Sequence, residues 1–316
     1  MKLFLIIPPY GLSSEGQKIK QKKGFLPPVG VALIGTILRD AGHEITILDM
    51  QVDNKSSPEL IDFICSKSPD VVCMSMLDAT YTITNTIFSL IKKEFPSIIT
   101  VCGGIHPSMY PDQTLDENPQ IDYLIYGEAE NTLKELVSGF DKKVNISKIK
   151  GIYYRGDSGE VLFTGLRVIE KDLDTFPIAS RDFFDMKKYI PMPHTYKRWP
   201  STNMMTGRGC TYSLCTFCFE SSPFVREKGY RRISVQRAID EIKYLQKEYG
   251  VKDIVFWDDE FLMGGDWVEE FCDAVIDQGI DITWSCYGKV NYVKPERMQK
   301  MAKAGCWNIL FGFESA

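Results

Sequence analysis

The stretch Met204-Met205-Thr206-Gly207-Arg208-Gly209-Cys210-Thr211-Tyr212-Ser213-Leu214-Cys215-Thr216-Phe217-Cys218 sets three cysteines on one short loop directly after an apolar, strand-like run. No fourth cysteine lies close by in the sequence. A four-iron cluster normally takes four thiolates, so a compact three-thiolate loop at Cys210, Cys215 and Cys218 leaves one iron open to bind and activate a small molecule. The same residues also fit a zinc knuckle whose fourth ligand comes from elsewhere, or three unconnected reduced thiols.

Outward from that loop, the pattern toward the C-terminus predicts a strand over 202–206, a helix over 234–248, a strand over 253–256, a helix over 266–277, a strand over 282–286, a helix over 295–304 and a strand over 308–312. Four β/α repeats place the cysteine loop after the first strand, at the carboxyl-end face where barrel enzymes keep their chemistry. Toward the N-terminus the chain is irregular over 141–200. A hairpin signal there, Gly151-Ile152-Tyr153-Tyr154-Arg155 and Val161-Leu162-Phe163 around Gly156-Asp157-Ser158-Gly159, is followed by Pro-containing connector sequence.

Residues 1–140 alternate apolar runs at 2–7, 44–48, 70–75, 98–102 and 123–126 with helix-length amphipathic segments at 29–41, 58–66, 81–94 and 130–137. Parallel strands with helical crossovers make a doubly wound α/β sheet, whose ligands sit at the carboxyl ends of the strands. Two of those ends carry Ser75-Met76-Leu77 and Gly103-Gly104-Ile105-His106-Pro107. A Gly-Gly pair there admits a bulky group close to the backbone, or simply makes a tight turn. Domains are expected at 1–140 and 201–316, joined by the hairpin and linker of 141–200.

The chain has 316 residues, 44% hydrophobic and 25% charged, a length sufficient for two domains. Nine cysteines, with Cys73 and Cys102 inside apolar runs, fit a cytoplasmic chain with reduced thiols better than a disulfide framework. Cys272, Cys286 and Cys306 fall in helix or strand patterns and are expected in the core. Leu3–Ile7 is too short for the apolar core of a signal peptide or for a membrane span, so a soluble, unprocessed protein is expected. A net charge of −5 argues against a nucleic-acid partner, and the basic run Lys18, Lys20, Lys22, Lys23 reads as a solvated loop.

The first half resembles a cobalamin-binding domain, on Ser75-x-Leu77, Gly103-Gly104 and Tyr126-Gly127-Glu128-x-Glu130. The second half resembles the radical S-adenosylmethionine superfamily, on Gly207-Arg208-Gly209-Cys210, Cys215-Thr216-Phe217-Cys218, Phe256-Trp257-Asp258-Asp259-Glu260-Phe261 and Gly312-Phe313-Glu314-Ser315. Together they resemble the cobalamin-dependent radical enzymes. The resemblance implies a Rossmann-like domain followed by a partial barrel that stops after its fourth strand, and so a truncated chain or one completed from outside this sequence.

The resemblance also implies a [4Fe-4S] cluster on Cys210, Cys215 and Cys218, and cobalamin held by Ser75, Leu77, Gly103, Gly104 and Glu128, with His106 against the corrin or its tail. S-adenosylmethionine would be contacted by Phe217, by Asp259 or Glu260, and by Glu314 and Ser315. No Asp-x-His-x-x-Gly motif is present, so a cobalamin without a protein histidine beneath it is expected. Cys210 and Cys215 enclose four residues where the family's usual spacing has three, and the extra residue is expected to bulge outward. The activity implied is reductive cleavage of S-adenosylmethionine to a 5′-deoxyadenosyl radical, with cobalamin as methyl carrier for methylation of an unactivated carbon. Oxidative cyclisation or ring rearrangement, and a non-catalytic cobalamin or redox sensor, are the other readings. The partners implied are a small-molecule or peptide substrate and a flavodoxin- or ferredoxin-like electron donor, without nucleic acid or membrane.

Overall fold

Near-continuous apolar runs make strands that bury both faces, and the first half shows how. Strands β1 (Lys2–Ile7), β2 (Glu44–Asp49), β3 (Val71–Ser75), β4 (Ile99–Gly103) and β5 (Tyr123–Ile125) pair in parallel in the order β2-β1-β3-β4-β5. Because successive side chains point to opposite faces, Leu3 and Leu5 enter one core cluster while Phe4 and Ile6 enter the other. Helices α1 (Val29–Asp40) and α7 (Glu130–Lys142) supply the first cluster, and α3 (Ser57–Lys67) and α4 (Tyr81–Glu94) the second; the four-residue helix α2 (Met50–Asp53) follows β2. Each fully buried Leu, Ile or Phe contributes about 1.5–3 kcal/mol of transfer free energy, which makes this two-sided burial the main stabilising term. The result is the doubly wound α/β sheet expected from the sequence.

This computed structural model describes residues 1–10, 24–53, 55–142, 144–222, 229–263 and 265–313. The basic run Lys18–Lys23 and the residues Glu314 and Ser315 lie outside the described residues.

The hairpin expected in a connector belongs instead to the first sheet. Strand β6 (Ile152–Arg155) pairs antiparallel with β5, and β7 (Val161–Phe163) with β6. Their pairing supplies the backbone partners that an open β5 edge would lack, and the first compact unit accordingly runs on to Ile169. Two short helices not foreseen, α5 (Ile105–Met109) and α6 (Pro111–Glu117), follow β4.

The second unit comprises residues 21–29 and 170–316. Its sheet of four parallel strands runs β13-β12-β11-β8, from β8 (Ser201–Met204), β11 (Asp253–Phe256), β12 (Thr283–Gly288) and β13 (Cys306–Phe311). Helices α8 (Val235–Tyr249), α9 (Trp267–Asp277) and α10 (Pro295–Lys303) pack on it through a single core cluster built around Phe256, Phe261, Phe271 and Trp284. Helix α8 starts where Ser234 Oγ accepts the Arg237 N–H at 3.1 Å and stops at Gly250, whose φ of +63° favours glycine. A two-stranded ribbon, β9 (Gly207–Arg208) with β10 (Arg231–Arg232), precedes and follows the cysteine loop. Cys272 and Cys286 are core residues as expected, and Cys306 is half-buried. Among the described residues, no helix is long and apolar enough to cross a membrane.

Candidate functional site

In each unit the described residues singled out from the sequence lie at or just beyond the carboxyl ends of parallel strands. In the first, β3 ends at the exposed Ser75 and its neighbour β4 ends at Gly103, with Ser75 and Gly103 in register. The Met76 N–H donates to the Gly103 carbonyl at 2.8 Å. Gly104 has φ +109°, and a Cβ there would stand 2.7 Å from Ser75 Oγ and 2.8 Å from the Met76 carbonyl. Its glycine is therefore demanded by the chain's own crossing.

Gly103 is different. A Cβ there would meet only Ile125 at an ordinary 3.7 Å, so nothing in its surroundings requires the missing side chain. A bare backbone beside an exposed serine hydroxyl is a cradle that a side chain would partly fill, and it fits close approach of a bulky cofactor tail. Ser108, which no motif in the sequence singled out, locks this edge. Its Oγ donates to the Gly104 carbonyl at 2.7 Å and accepts the Gly127 N–H at 2.9 Å, joining the ends of β4 and β5. Glu128 follows directly, and Leu77 is half-buried behind Ser75.

His106 is occupied by its own neighbours. Its Nδ1 contacts the Asp78 carboxylate, and its ring lies between Tyr81 and Tyr110, with centroids 4.6 and 5.4 Å away. Tyr81 in turn donates to Glu117 Oε2 at 2.5 Å, and the Asn118 amide donates to the Tyr81 hydroxyl at 3.0 Å. That hydroxyl, followed by the Gln113 amide, holds the Glu117 carboxyl below the usual carboxylate range.

In the second unit the three thiols are free and half-buried. The Cys218 N–H donates to the Cys215 carbonyl at 3.0 Å. The extra residue of the four-residue spacing is absorbed at Ser213, which takes a left-handed φ of +42° and bonds the Cys210 carbonyl through its hydroxyl. Tyr212 and Leu214 consequently point outward, exposed. Gly209, at φ +87°, lies so close to Gly229 that a Cβ would come within 2.7 Å of its carbonyl oxygen.

Burial pushes the Cys218 thiol up, and the charges of Glu220, Asp259 and Cys215 act in the same direction. A thiolate there is favoured once a metal centre binds it. Among the described residues, no three His, Cys, Asp or Glu side chains converge on a single metal ion. Thiolates that bind one iron–sulfur cluster occupy separate corners, each on its own iron. The donor set fits a cluster.

The three adjacent acids divide their work. Asp258 is buried, accepting the Thr206 N–H at 2.6 Å, the Thr206 hydroxyl and Arg232 Nη2 at 3.0 Å. Glu260 is also buried and accepts the backbone N–H groups of Leu262, at 3.1 Å, and Lys289. Asp259 is exposed as a residue, yet its carboxyl is desolvated by surrounding atoms and pushed up by that and by Asp258, while it accepts the Gly209 N–H. Of the two acids predicted to meet a ligand, Asp259 is the one left open and beside the cysteine loop. Phe217 is 72% exposed and lies outside the core. Lys289 Nζ lies 3.8 Å from the Tyr212 ring centroid.

Register shows which strand residues share the sheet face away from the helices. Asn203, Val255, Ser285 and Asn308 pair across the four strands, alternating with the core residues Met204, Ile254, Phe256, Trp284 and Cys286. Asn203 Oδ1 and Ser285 Oγ are buried without a hydrogen-bond partner among the described residues. One step toward the carboxyl ends stand Met205, Trp257, Tyr287 and Leu310, all substantially exposed.

Comparison with known proteins agrees with this division. The B12 binding domain family matches residues 20–137, and the Radical SAM superfamily matches residues 204–316. The chain belongs to the radical S-adenosylmethionine proteins that carry a B12 binding domain. It is 30% identical over 316 residues to an uncharacterized methyltransferase of Pyrococcus horikoshii, covering all of this chain and 66% of that protein. It is 27% identical over 285 residues to an anaerobic magnesium-protoporphyrin IX monomethyl ester cyclase of Synechocystis, covering 90% of this chain and 54% of that one. The chain thus spans about half to two thirds of the length of these relatives. The solved structure of the cobalamin-dependent S-adenosylmethionine radical enzyme OxsB superposes with a TM-score of 0.80 at 21% identity, over 99% of this chain and 44% of that one, and shares the fold.

Proposed function

We propose that the chain is the cofactor-bearing part of a radical S-adenosylmethionine methyltransferase that methylates an unactivated carbon of a small molecule or peptide. The observation that carries this reading is the placement of three half-buried free thiols at the carboxyl end of a parallel sheet, beside an open carboxylate, Asp259, that grips the loop at Gly209. Cys210, Cys215 and Cys218 would hold a [4Fe-4S] cluster, and Ser75, Gly103 and Gly104 would border the tail of cobalamin. When bound, the cluster supplies the low-potential electron that cleaves the carbon–sulfur bond of S-adenosylmethionine to a 5′-deoxyadenosyl radical, and cobalamin carries the methyl group to be delivered.

The chain's own residues do the rest. Asp259 offers an acceptor to the ammonium of the methionine portion. The row Met205, Trp257, Tyr287 and Leu310 gives an apolar wall against which water is excluded. Asn203 and Ser285 offer unpaired hydrogen-bonding atoms beneath that wall. His106 is engaged by Asp78 and two tyrosines, which supports a cobalamin without this histidine as its lower ligand. Glu314 and Ser315 are proposed to reach the ribose or carboxylate, and a flavodoxin- or ferredoxin-like protein to deliver the electron.

The test is anaerobic reconstitution with iron, sulfide and cobalamin, followed by reduction with S-adenosylmethionine present. Formation of 5′-deoxyadenosine, with S-adenosylhomocysteine and a methylated product once substrate is supplied, supports the reading. Absence of 5′-deoxyadenosine above a cluster-free control contradicts it. A second reading, oxidative cyclisation, is favoured by the similarity to the magnesium-protoporphyrin ester cyclase; it predicts 5′-deoxyadenosine with a product that gains a ring and no methyl group.

A further inference from the structure

One buried cation stands between the cysteine loop and the acidic segment. Arg232 pairs with Gly207 across the short ribbon, three residues before Cys210. Its side chain is 6% exposed. Nε donates to Thr206 Oγ1 at 3.2 Å, Nη1 to the Met263 carbonyl at 2.7 Å, and Nη2 to Asp258 Oδ2 at 3.0 Å and to the Phe261 carbonyl at 2.9 Å. The guanidinium carbon sits 3.9 Å from the Trp267 ring centroid and 4.7 Å from that of Phe261. Asp258, at its other side, also holds the Thr206 N–H and hydroxyl. A single planar fork therefore ties the base of the cysteine loop to both ends of segment 258–263, and that segment reaches back to the loop through Asp259 and Gly209.

A buried ion pair is weak evidence for stability, because desolvating both partners costs about as much as their attraction returns; its best-attested use is to fix register. Lysine cannot make this set of bonds, since it lacks the flat, multiply donating head. We propose that Arg232 is a positioning residue for the site: it holds the cysteine loop and Asp259 in one register and thereby sets how tightly the site takes S-adenosylmethionine. This rests on the proposed function of that loop.

The test titrates S-adenosylmethionine into the full, reconstituted and reduced protein, reading the change in the electron paramagnetic resonance signal. Arg232→Lys weakens half-saturation by about 10- to 100-fold, the loss usual when outer support of a metal site is removed. Asp258→Asn, nearly isosteric, shifts it in the same direction by less, and decides the matter alone should Arg232→Lys fail to fold. Arg181→Lys is the control. Arg181 is equally buried, lies 3.6 Å from Glu241 and donates to the Ala179 and Asn203 carbonyls at the β8 edge. It lowers the melting temperature without moving half-saturation. Unchanged half-saturation in both Arg232→Lys and Asp258→Asn, at unaltered iron content, overturns the inference and leaves the proposed function standing. A parent protein whose signal does not respond to S-adenosylmethionine overturns both.

Discussion

The two sheets are both parallel and both keep their candidate sites at the carboxyl ends of strands, yet they are built by different physics. The first is covered by helices on both faces, and its site edge is made of small residues and backbone contacts: Ser75 against Gly104, and Ser108 bridging to Gly127. The second has its described core on one face, and its site edge is fixed by buried charge, Arg232 with Asp258, while bulky side chains stand open on the other face. Shape complementarity to a large rigid group asks for bare, fixed backbone. A site that must take and release a small charged ligand asks for donors and acceptors set in register.

Substitutions can break that contrast. The largest effect is expected from Cys210→Ala, Cys215→Ala or Cys218→Ala, each of which abolishes 5′-deoxyadenosine formation while cobalamin retained on gel filtration stays at the parent level; loss of cobalamin in these variants would show that the roles of the two halves are misassigned. Next comes Gly104→Ala. A Cβ 2.7 Å from Ser75 Oγ, on a backbone at φ +109°, is expected to cost about 3 kcal/mol in urea unfolding of the protein and to lower cobalamin retention with it. Gly103→Ala, where the Cβ meets nothing closer than 3.7 Å, is expected to lower cobalamin retention with little change in stability; retention equal to the parent's would show that the cradle is not used.

Ser108→Ala removes one donor and the acceptor of the Gly127 N–H, with an expected cost of about 1–3 kcal/mol measured the same way. The smallest effect is expected from Tyr81→Phe. In the parent, Glu117 is held below its usual value chiefly by the Tyr81 hydroxyl, so its contribution to stability is present above the ordinary carboxylate pKa and is lost as pH falls through the lowered one. The variant should move the Glu117 titration upward by nuclear magnetic resonance and lessen that acid-side slope, leaving the part held by Gln113; an unmoved titration would assign the shift to Gln113.

Much of this was legible in the chain because burial leaves a periodic trace. Apolar runs of five or six residues marked β1, β3 and β4, and the helix over Tyr81–Glu94 was readable to the residue. The hairpin at 152–163 was visible, but its docking on β5 was not, because a turn signal specifies a strand's local partner and not the sheet it joins. Helices α5 and α6 were hidden by Pro107 and Pro111, which read as breakers although Pro111 stands at a helix start. Asp258, Asp259 and Glu260 are consecutive acids, and only the fold separates the locked Asp258 from the open Asp259. Arg232 left no trace at all, since an arginine in the run Arg231-Arg232 reads as surface charge until its carbonyl partners are brought to it by the ribbon.

The three-thiolate loop is proposed to hold a cluster with one iron left free. Mössbauer spectroscopy of the protein reconstituted with iron-57, recorded with and without S-adenosylmethionine, tests it most directly. The expected result is four irons per chain with one of them changing its isomer shift when the ligand is added; mononuclear iron, or four irons indifferent to the ligand, would contradict it.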